Sequence, residues 1–435
     1  MSSTSQTRSL NLDRVLDEQV DWRYKSFPAG PPTPIRGVRK RGWNVLGGEF
    51  MLPAMVLKES ALRHNSRLMA SYCKRHDILL APHGKTTMAP QLLKMQLDDG
   101  AWAVTAATMS QVRVWRAFGV DRVILANELV EPASVRWVAS EMNSDPDFEF
   151  YCLVDSVAEV SLLESALADT GLGRRLKVLL EFGPVGGRTG CRTHEQALEV
   201  AQAIAGSEHL ALAGVEAFEG VISVDSLAGT IVAIDRFLHD MRALVAELDG
   251  AGFFAQVPGL IVTAGGSAFP DRVVAHLGGP WELSRPVRLV LRSGCYITHD
   301  AVHYNHLSPF GGRIPETEPL VEALEVWGVV LSLPEPGLAI LGFGKRDVSH
   351  DLELPVPRFV KTGGPQPPRP LRAEASIFAL NDQHAFMKVG ADADLKVGDI
   401  VGCGISHPCT AFDKWRLIPV VDDGYRVVDA VLTYF

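Results

Sequence analysis

Eight short apolar segments alternate with amphipathic stretches between residues 78 and 296, and few folds accommodate that order. The candidate strands are 78–81, 101–106, 123–127, 150–154, 177–182, 212–218, 260–263 and 287–291. Most are runs dominated by Val, Leu, Ile and Ala, the composition of strands buried on both faces. Helical patterns such as 109–118 and 227–248 lie between them, and strands joined through helices pair in parallel. Eight repeats of this unit match an α/β fold, a (β/α)8 barrel of the TIM type. An open doubly wound sheet is the competing arrangement, because alternation alone does not show closure.

After Pro319 the pattern changes. Segments 324–331, 338–341, 376–380, 386–389, 400–403, 417–421 and 427–433 read as strands with no helices between them, a C-terminal all-β domain. A chain of 435 residues exceeds one ordinary hydrophobic core. The reading is a barrel domain over 45–318 and a β domain over 319–435. Segment 54–57 is a surplus strand, which places residues 1–57 with the β domain. The interval 347–370, rich in proline, glycine and charge, reads as a long surface loop.

The net charge is −9, and no basic block is long enough to follow a phosphate backbone, so no nucleic-acid partner is expected. No apolar run reaches membrane-spanning length. The opening Met1-Ser2-Ser3-Thr4-Ser5-Gln6 is polar and precedes no signal-peptide core. Six cysteines are scattered rather than spaced as a disulfide framework. A cytoplasmic protein with reduced thiols and a small-molecule ligand is the simplest reading.

In a barrel of this kind the chemistry gathers at the C-terminal ends of the strands. Lys85 follows the first strand within His83-Gly84-Lys85-Thr86-Thr87. A lysine held there can form a Schiff base with a carbonyl cofactor and afterwards accept a proton. Alone, it would be a solvated loop residue. Gly265-Gly266-Ser267 after the seventh strand and Gly294-Cys295-Tyr296 after the eighth stand where such barrels hold phosphate. Glycine allows close backbone approach there, and successive N–H groups donate. Arg188 sits in the glycine-rich turn after the fifth strand, a fixed positive charge for an anionic oxygen.

Near the C-terminus, His407 and Cys409 are two residues apart. In extended backbone that spacing puts both side chains on one side, and imidazole with thiolate suits zinc while leaving coordination positions open. A buried cysteine beside a packed histidine is the plain alternative. His299, His303, His306 and His384 are further candidate donors.

Taken in order, His83-Gly84-Lys85-Thr86-Thr87, Gly186-Gly187-Arg188-Thr189-Gly190, Gly265-Gly266-Ser267, Gly294-Cys295-Tyr296 and His407-Pro408-Cys409 resemble the D-serine dehydratase and D-threonine aldolase family, in its amino acid deaminase branch. The resemblance spans roughly residues 45 to 435. It implies a fold type III, alanine-racemase-like enzyme with pyridoxal 5'-phosphate on Lys85 and Arg188 near the cofactor ring. Gly265, Gly266, Ser267, Gly294 and Cys295 would cradle the phosphate, and Tyr296 would line the site. His407 and Cys409 match the metal pair; cysteine there resembles the dehydratases, whereas aldolases usually carry aspartate. The implied substrate is a β-hydroxy D-amino acid, which loses water to give a 2-oxo acid and ammonia. Retro-aldol cleavage is the alternative outcome, and a homodimer the implied assembly. Two departures bear on the substrate: Thr87 stands where the family commonly has histidine, and Phe218 where it commonly has tyrosine. A racemase, or a cofactor-binding protein without catalysis, are the readings from other classes.

Overall fold

All eight expected barrel strands form one parallel sheet: β1 (Leu79–Leu80), β2 (Val104–Ala106), β3 (Arg122–Glu128), β4 (Glu149–Val154), β5 (Leu176–Phe182), β6 (Leu210–Ala217), β7 (Leu260–Ala264) and β8 (Val287–Leu291). The structure is a computed structural model that describes residues 9–364, 366–371, 374–390 and 394–435; the polar segment Met1–Gln6 lies outside them. From β2 to β8 each strand pairs with the next in sequence, and β8 pairs with β1. Closure comes between β1 and β2. Trp102 N–H donates to Leu80 O at 2.7 Å, Thr105 N–H to Pro82 O at 2.9 Å, and His83 and Thr105 form a parallel bridge. The sheet is therefore a barrel, and the open alternative is excluded.

Burial explains the strand composition. Every residue of β6 and β7 is buried, so neither strand has a polar face to alternate with. Four of the barrel helices begin at side-chain caps: Thr108, Ser156, Thr193 and Ser226 each accept a backbone N–H three residues on. Each cap satisfies a donor that the first helical turn leaves orphaned, worth about 1 kcal/mol. Loops leading to these helices are thereby fixed, which matters because they carry the side chains of interest.

The chain divides into two compact units that do not follow chain order. The barrel unit contains residues 70–85 and 96–294; the other contains 11–69, 86–95 and 295–435. In the second unit, Leu324–Glu335 is the central strand, flanked by Ala54–Lys58, Leu338–Leu341 and Ile400–Gly404, all antiparallel to it. Ala54–Lys58 also pairs in parallel with Leu417–Val421. One expectation is overturned here. The interval read as a loop contains the strand Val356–Lys361, which pairs antiparallel with Ile400–Gly404. Pro357 hides it from a sequence reading; the register shifts between Pro357 and Phe359, the kind of irregularity that admits a residue with no N–H to give. Among the described residues no helix is long and apolar enough to cross a membrane.

The start of β4 carries an ion network that ties three strands together. Glu149 accepts from Arg122 at 2.8 Å, from Lys177 at 3.0 Å and from the Tyr151 hydroxyl at 2.8 Å. Burial opposes its ionisation, but Lys177 and Arg122 outweigh burial and hold the carboxyl at about 2. A folded-state pKa below the ordinary value of 4.5 gives stability that is present above 4.5 and lost as pH falls through 2. Glu149→Gln should thus cost about 2 kcal/mol near neutral pH, since two cations lose their partner. In thermal melts from pH 7 to pH 3, the gap to the wild type should narrow below about pH 4.5.

Candidate active site and metal pair

Lys85 lies in a one-turn 3-10 helix, Gly84–Thr86, directly after the β1 segment. The turn is pressed onto Trp115, a fully buried side chain; a Cβ at Gly84 would lie 2.5 Å from the indole. Only glycine lets the backbone run this close, so Gly84 and Trp115 together set where Lys85 emerges. His83 precedes them. Its Nδ1 is sealed from solvent with no hydrogen-bond partner. Burial drives its pKa well below the ordinary imidazole value, helped by Lys85 and Arg292, and the ring is therefore neutral.

Arg188 occupies the turn after β5, exposed, with its guanidinium 4.9 Å from the Phe218 ring centre. The turn is held by Arg192, which sequence reasoning missed. Arg192 donates to the carbonyls of Thr189 (2.5 Å), Gly187 (3.0 Å) and Arg188 itself (2.8 Å). Gly190 N–H donates to Asp155 at 2.9 Å and the Thr189 hydroxyl to Glu181 at 2.8 Å. Gly186 and Gly190 supply the left-handed backbone that the loop needs, with φ of 77° and 99°.

The mouth is lined with acids. Carboxylate oxygens of Glu128, Asp155 and Glu181 lie within 4.8 Å of one another. Burial pushes the Glu181 carboxyl up to about 9, reinforced by Glu216 and Glu128, so the cluster carries less charge near neutrality than its residue count implies. Glu216 is buried against Arg292, which also donates to Thr263 Oγ1 at 2.8 Å and Ala217 O at 3.1 Å. Burial raises the Glu216 pKa against the pull of Arg292 and Arg188.

The loop after β7 holds an unexpected partner. The N–H groups of Gly265 and Gly266, expected as anion donors, both bond to the carboxylate of Glu219, at 3.0 and 2.8 Å. Glu219 is completely buried. Ser293 Oγ donates to Gly266 O at 2.8 Å, joining the loops that follow β7 and β8. A Cβ at Gly266 would meet Phe218 at 2.9 Å. Glu219 and Arg292 stand immediately past their strands, the positional signal by which a sequence reading could have found them.

In the second unit, His407 and Cys409 do meet, though not through extended backbone. His407 has φ 50°, and Pro408 is helical at φ −56°, ψ −31°, opening the four-residue helix Cys409–Phe412. A tight turn, not strand alternation, brings the imidazole and the thiol together. The His407 N–H is anchored by Asp300 at 3.0 Å, and its Nδ1 lies 2.6 Å from Asp351 Oδ2. Asp351 also accepts from the Thr410 hydroxyl at 2.7 Å. Burial works against ionisation of Asp351, but Thr410 and His407 hold its pKa down. With Nδ1 occupied by a carboxylate, Nε2 is the nitrogen left for an ion, the orientation found in carboxylate–histidine–metal sites.

Cys409 sits 3.3 Å from Cys295 Sγ and 3.4 Å from Thr86 Oγ1. The hydrogen bond from Cys295 draws its pKa well below the ordinary thiol value; burial opposes this, and His407 and Thr86 add to it. The Cys409 contact in turn pushes His407 up to about 9, with burial opposing and Asp351 helping. Cys295 and Tyr296 open a 3-10 turn and are buried. The Cys295 thiol is directed to Cys409 and is also hydrogen-bonded by Tyr304. Of the other histidines considered, His299 pairs with Asn305 at 3.4 Å. Asp351 lay inside the interval read as a loop, and nothing in the sequence marked it.

These residues fit both expected groups. A thiol poised to ionise beside an imidazole fixed through its far nitrogen is a two-donor set for a borderline-soft ion. A lysine amine, a neutral buried histidine and an arginine at the ends of barrel strands suit an aldehyde cofactor with anionic oxygens.

Residues 57–257 match the family model described as "Alanine racemase, N-terminal domain", and residues 323–421 the model described as "Putative serine dehydratase domain". A 3-hydroxy-D-aspartate aldolase of Paracoccus denitrificans (strain Pd 1222) is 26% identical over 353 residues, 81% of this chain and 83% of that protein. The crystal structure of D-threonine aldolase from Filomicrobium marinum matches with TM-score 0.72 and 22% identity, over 88% of this chain and 95% of that one. A histidine-to-alanine mutant of D-threo-3-hydroxyaspartate dehydratase matches with TM-score 0.73 and 18% identity, over 92% and 98%. A cysteine-to-alanine mutant of that dehydratase, in a metal-free form, matches with TM-score 0.69 and 18% identity, over 88% and 97%. At these identities the solved structures establish the fold.

The hold of Arg192 on its turn gives a prediction. Arg192→Ala removes three carbonyl contacts from the segment that carries Arg188 without touching the barrel core. Turnover should fall about tenfold, the cost of a loosened positioning group, while the melting temperature shifts by only a few degrees. Steady-state kinetics and a thermal melt on the same preparation check both.

Proposed function

We propose that this chain, similar to the D-serine dehydratase and D-threonine aldolase family of fold type III pyridoxal-phosphate lyases, removes water from β-hydroxy D-amino acids, giving a 2-oxo acid and ammonia, with zinc at His407 and Cys409. The observation that carries this reading is the Asp351–His407–Cys409 arrangement. Its His-x-Cys spacing is also that of the histidine and cysteine replaced in the two dehydratase mutants.

Pyridoxal phosphate, when bound, supplies an electron sink for charge left at Cα, and a divalent ion supplies a Lewis acid for a departing hydroxyl. The chain's own residues do the rest. Lys85 would hold the cofactor through its amine and, once free, move the proton at Cα. The neutral imidazole of His83 adds no competing charge beside it. Arg188, steadied by Arg192 and by the Phe218 face, would fix an anionic oxygen. Ser267, Gly294 and Cys295 are assigned to the anionic end of the cofactor, with Glu219 shaping the Gly265–Gly266 backbone from behind. His407 and Cys409 would hold the ion, and Thr86 and Cys295 would orient the Cys409 sulfur. Lys85 and Thr86 are consecutive in the chain, as are Gly294 and Cys295, so the residues assigned to cofactor and metal are linked covalently at two points. We place the enzyme in the cytoplasm as a homodimer.

A second reading, retro-aldol cleavage, is favoured by the aldolase relative. That reaction needs a base for the hydroxyl proton. Thr87 stands where the family commonly has histidine; it is buried and its oxygen accepts from Ala89 N–H at 3.3 Å. A threonine is no base near neutral pH. This weighs toward elimination.

The test is a product screen of protein loaded with pyridoxal phosphate and zinc against D-serine, D-threonine and 3-hydroxy-D-aspartate. Oxo acid and ammonia are expected, and glycine plus an aldehyde would establish the aldolase reading instead. Chelation should lower elimination at least a hundredfold while the visible absorption of the cofactor persists, and zinc should restore the rate. Borohydride should fix the cofactor to the peptide containing Lys85, and Lys85→Ala should abolish that label.

A further inference from the structure

The two sulfurs in the second unit stand in a relation that metal binding alone does not explain. Cys295 and Cys409 are 114 positions apart in sequence, yet their Sγ atoms are 3.3 Å apart. Neither is in a disulfide; Cys295 is 4% exposed, whereas Cys409 is of intermediate burial. Among the described residues, the His/Cys/Asp/Glu groups of three or more with donor atoms mutually within 4.8 Å do not include His407, Cys409 and Cys295 together. In this arrangement Cys295 stands beside Cys409 rather than in a three-donor cluster with His407. Cys409 has His407 as one hydrogen-bond neighbour and Cys295 as another.

We propose that Cys295 and Cys409 are a peroxide-responsive pair that closes to a disulfide and withdraws Cys409 from His407. Bond formation requires the sulfurs to approach by about 1.3 Å, to a disulfide length of about 2.05 Å. Cys409 is at the first position of a four-residue helix and Cys295 at the first position of a 3-10 turn. Cys409, the less buried of the two residues, meets the oxidant and Cys295 resolves it, the two-cysteine arrangement of redox sensors.

The Cys409 sulfur attacks one oxygen of hydrogen peroxide; an S–O bond forms, the O–O bond breaks, and the thiol proton leaves with the departing oxygen as water. Cys409 is then a sulfenic acid. The Cys295 sulfur attacks the Cys409 sulfur; the S–S bond forms, the S–O bond breaks, and hydroxide departs with the Cys295 proton as a second water. One peroxide thus accepts the two electrons given up by the two thiols. Thr86 Oγ1, 3.4 Å from Cys409 and 3.8 Å from Cys295, bridges the two sulfurs.

The consequence for the metal rests on the function proposed above, but the disulfide does not. Metal-free and zinc-loaded protein would be exposed to hydrogen peroxide, quenched, digested and mapped by mass spectrometry, with thiols counted after denaturation. Six cysteines should fall to four titratable thiols, with the Cys295 peptide joined to the Cys409 peptide, and dithiothreitol should reverse both. Zinc should slow the linkage several-fold by engaging Cys409. In Cys295→Ser the linkage should vanish and dimedone should trap Cys409. Wild-type protein that keeps six thiols, links other cysteines or accumulates dimedone-reactive Cys409 without linkage overturns the proposal. A protein that never binds zinc but forms the linkage refutes the metal reading and leaves this one standing.

Discussion

The barrel depends on a seam that has very little regular strand in it. β1 contributes only Leu79 and Leu80 to the ladder, so its place between β8 and β2 is set by individual hydrogen bonds. On one side Ala81 N–H reaches Leu291 O at 2.8 Å; on the other, Trp102 and Thr105 donate back to Leu80 and Pro82. The Thr105 hydroxyl adds a bond to Ala81 O at 2.7 Å. The chain between these bonds runs straight into Gly84 and Lys85. A parallel barrel has no free edge once closed, and here closure and the placement of Lys85 are the same event. Replacing Thr105 by valine would remove a buried hydroxyl bond from that seam, and the displacement would reach the lysine before it reached the core.

Charge in the mouth is balanced by geometry rather than by numbers. Glu216 faces Arg292, Glu219 accepts from two backbone N–H groups while burial raises its pKa against them, and Glu181 holds a proton through burial and crowding. A buried carboxylate bonded to consecutive glycine N–H groups uses the same donor pattern that such loops offer to phosphate. The loop after β7 therefore has an internal acceptor of its own. Its shape is fixed independently of any ligand, which is the usual requirement for a site that must be organised before it is filled.

Much of this was legible in the sequence. The eight strands and the helices between them follow from hydrophobic period, and all eight appear within a few residues of where the pattern puts them. The strand Ala54–Lys58 was recognisable as surplus to the barrel. The loops that carry Lys85 and Arg188 were readable because glycine and strand ends mark them. The sequence was silent where partners are distant. Asp351 is 56 residues from His407 and Cys295 is 114 from Cys409, and no local period records such pairings. Extended geometry was the wrong route to the proximity of His407 and Cys409, because a proline and a left-handed residue make a turn that alternation rules do not describe. The strand Val356–Lys361 was missed for a related reason, since its proline reads as a break.

His407 adopts a backbone conformation that most side chains avoid, at a cost of about 1 kcal/mol for a residue with a Cβ. Asp300 accepts its N–H and Asp351 holds its ring, so neighbours enforce the strain. Glycine would fit that turn with none of the cost. A glycine here would relax the turn while giving up the ring that Asp351 holds, so this one position sets backbone comfort against the placement of a side chain.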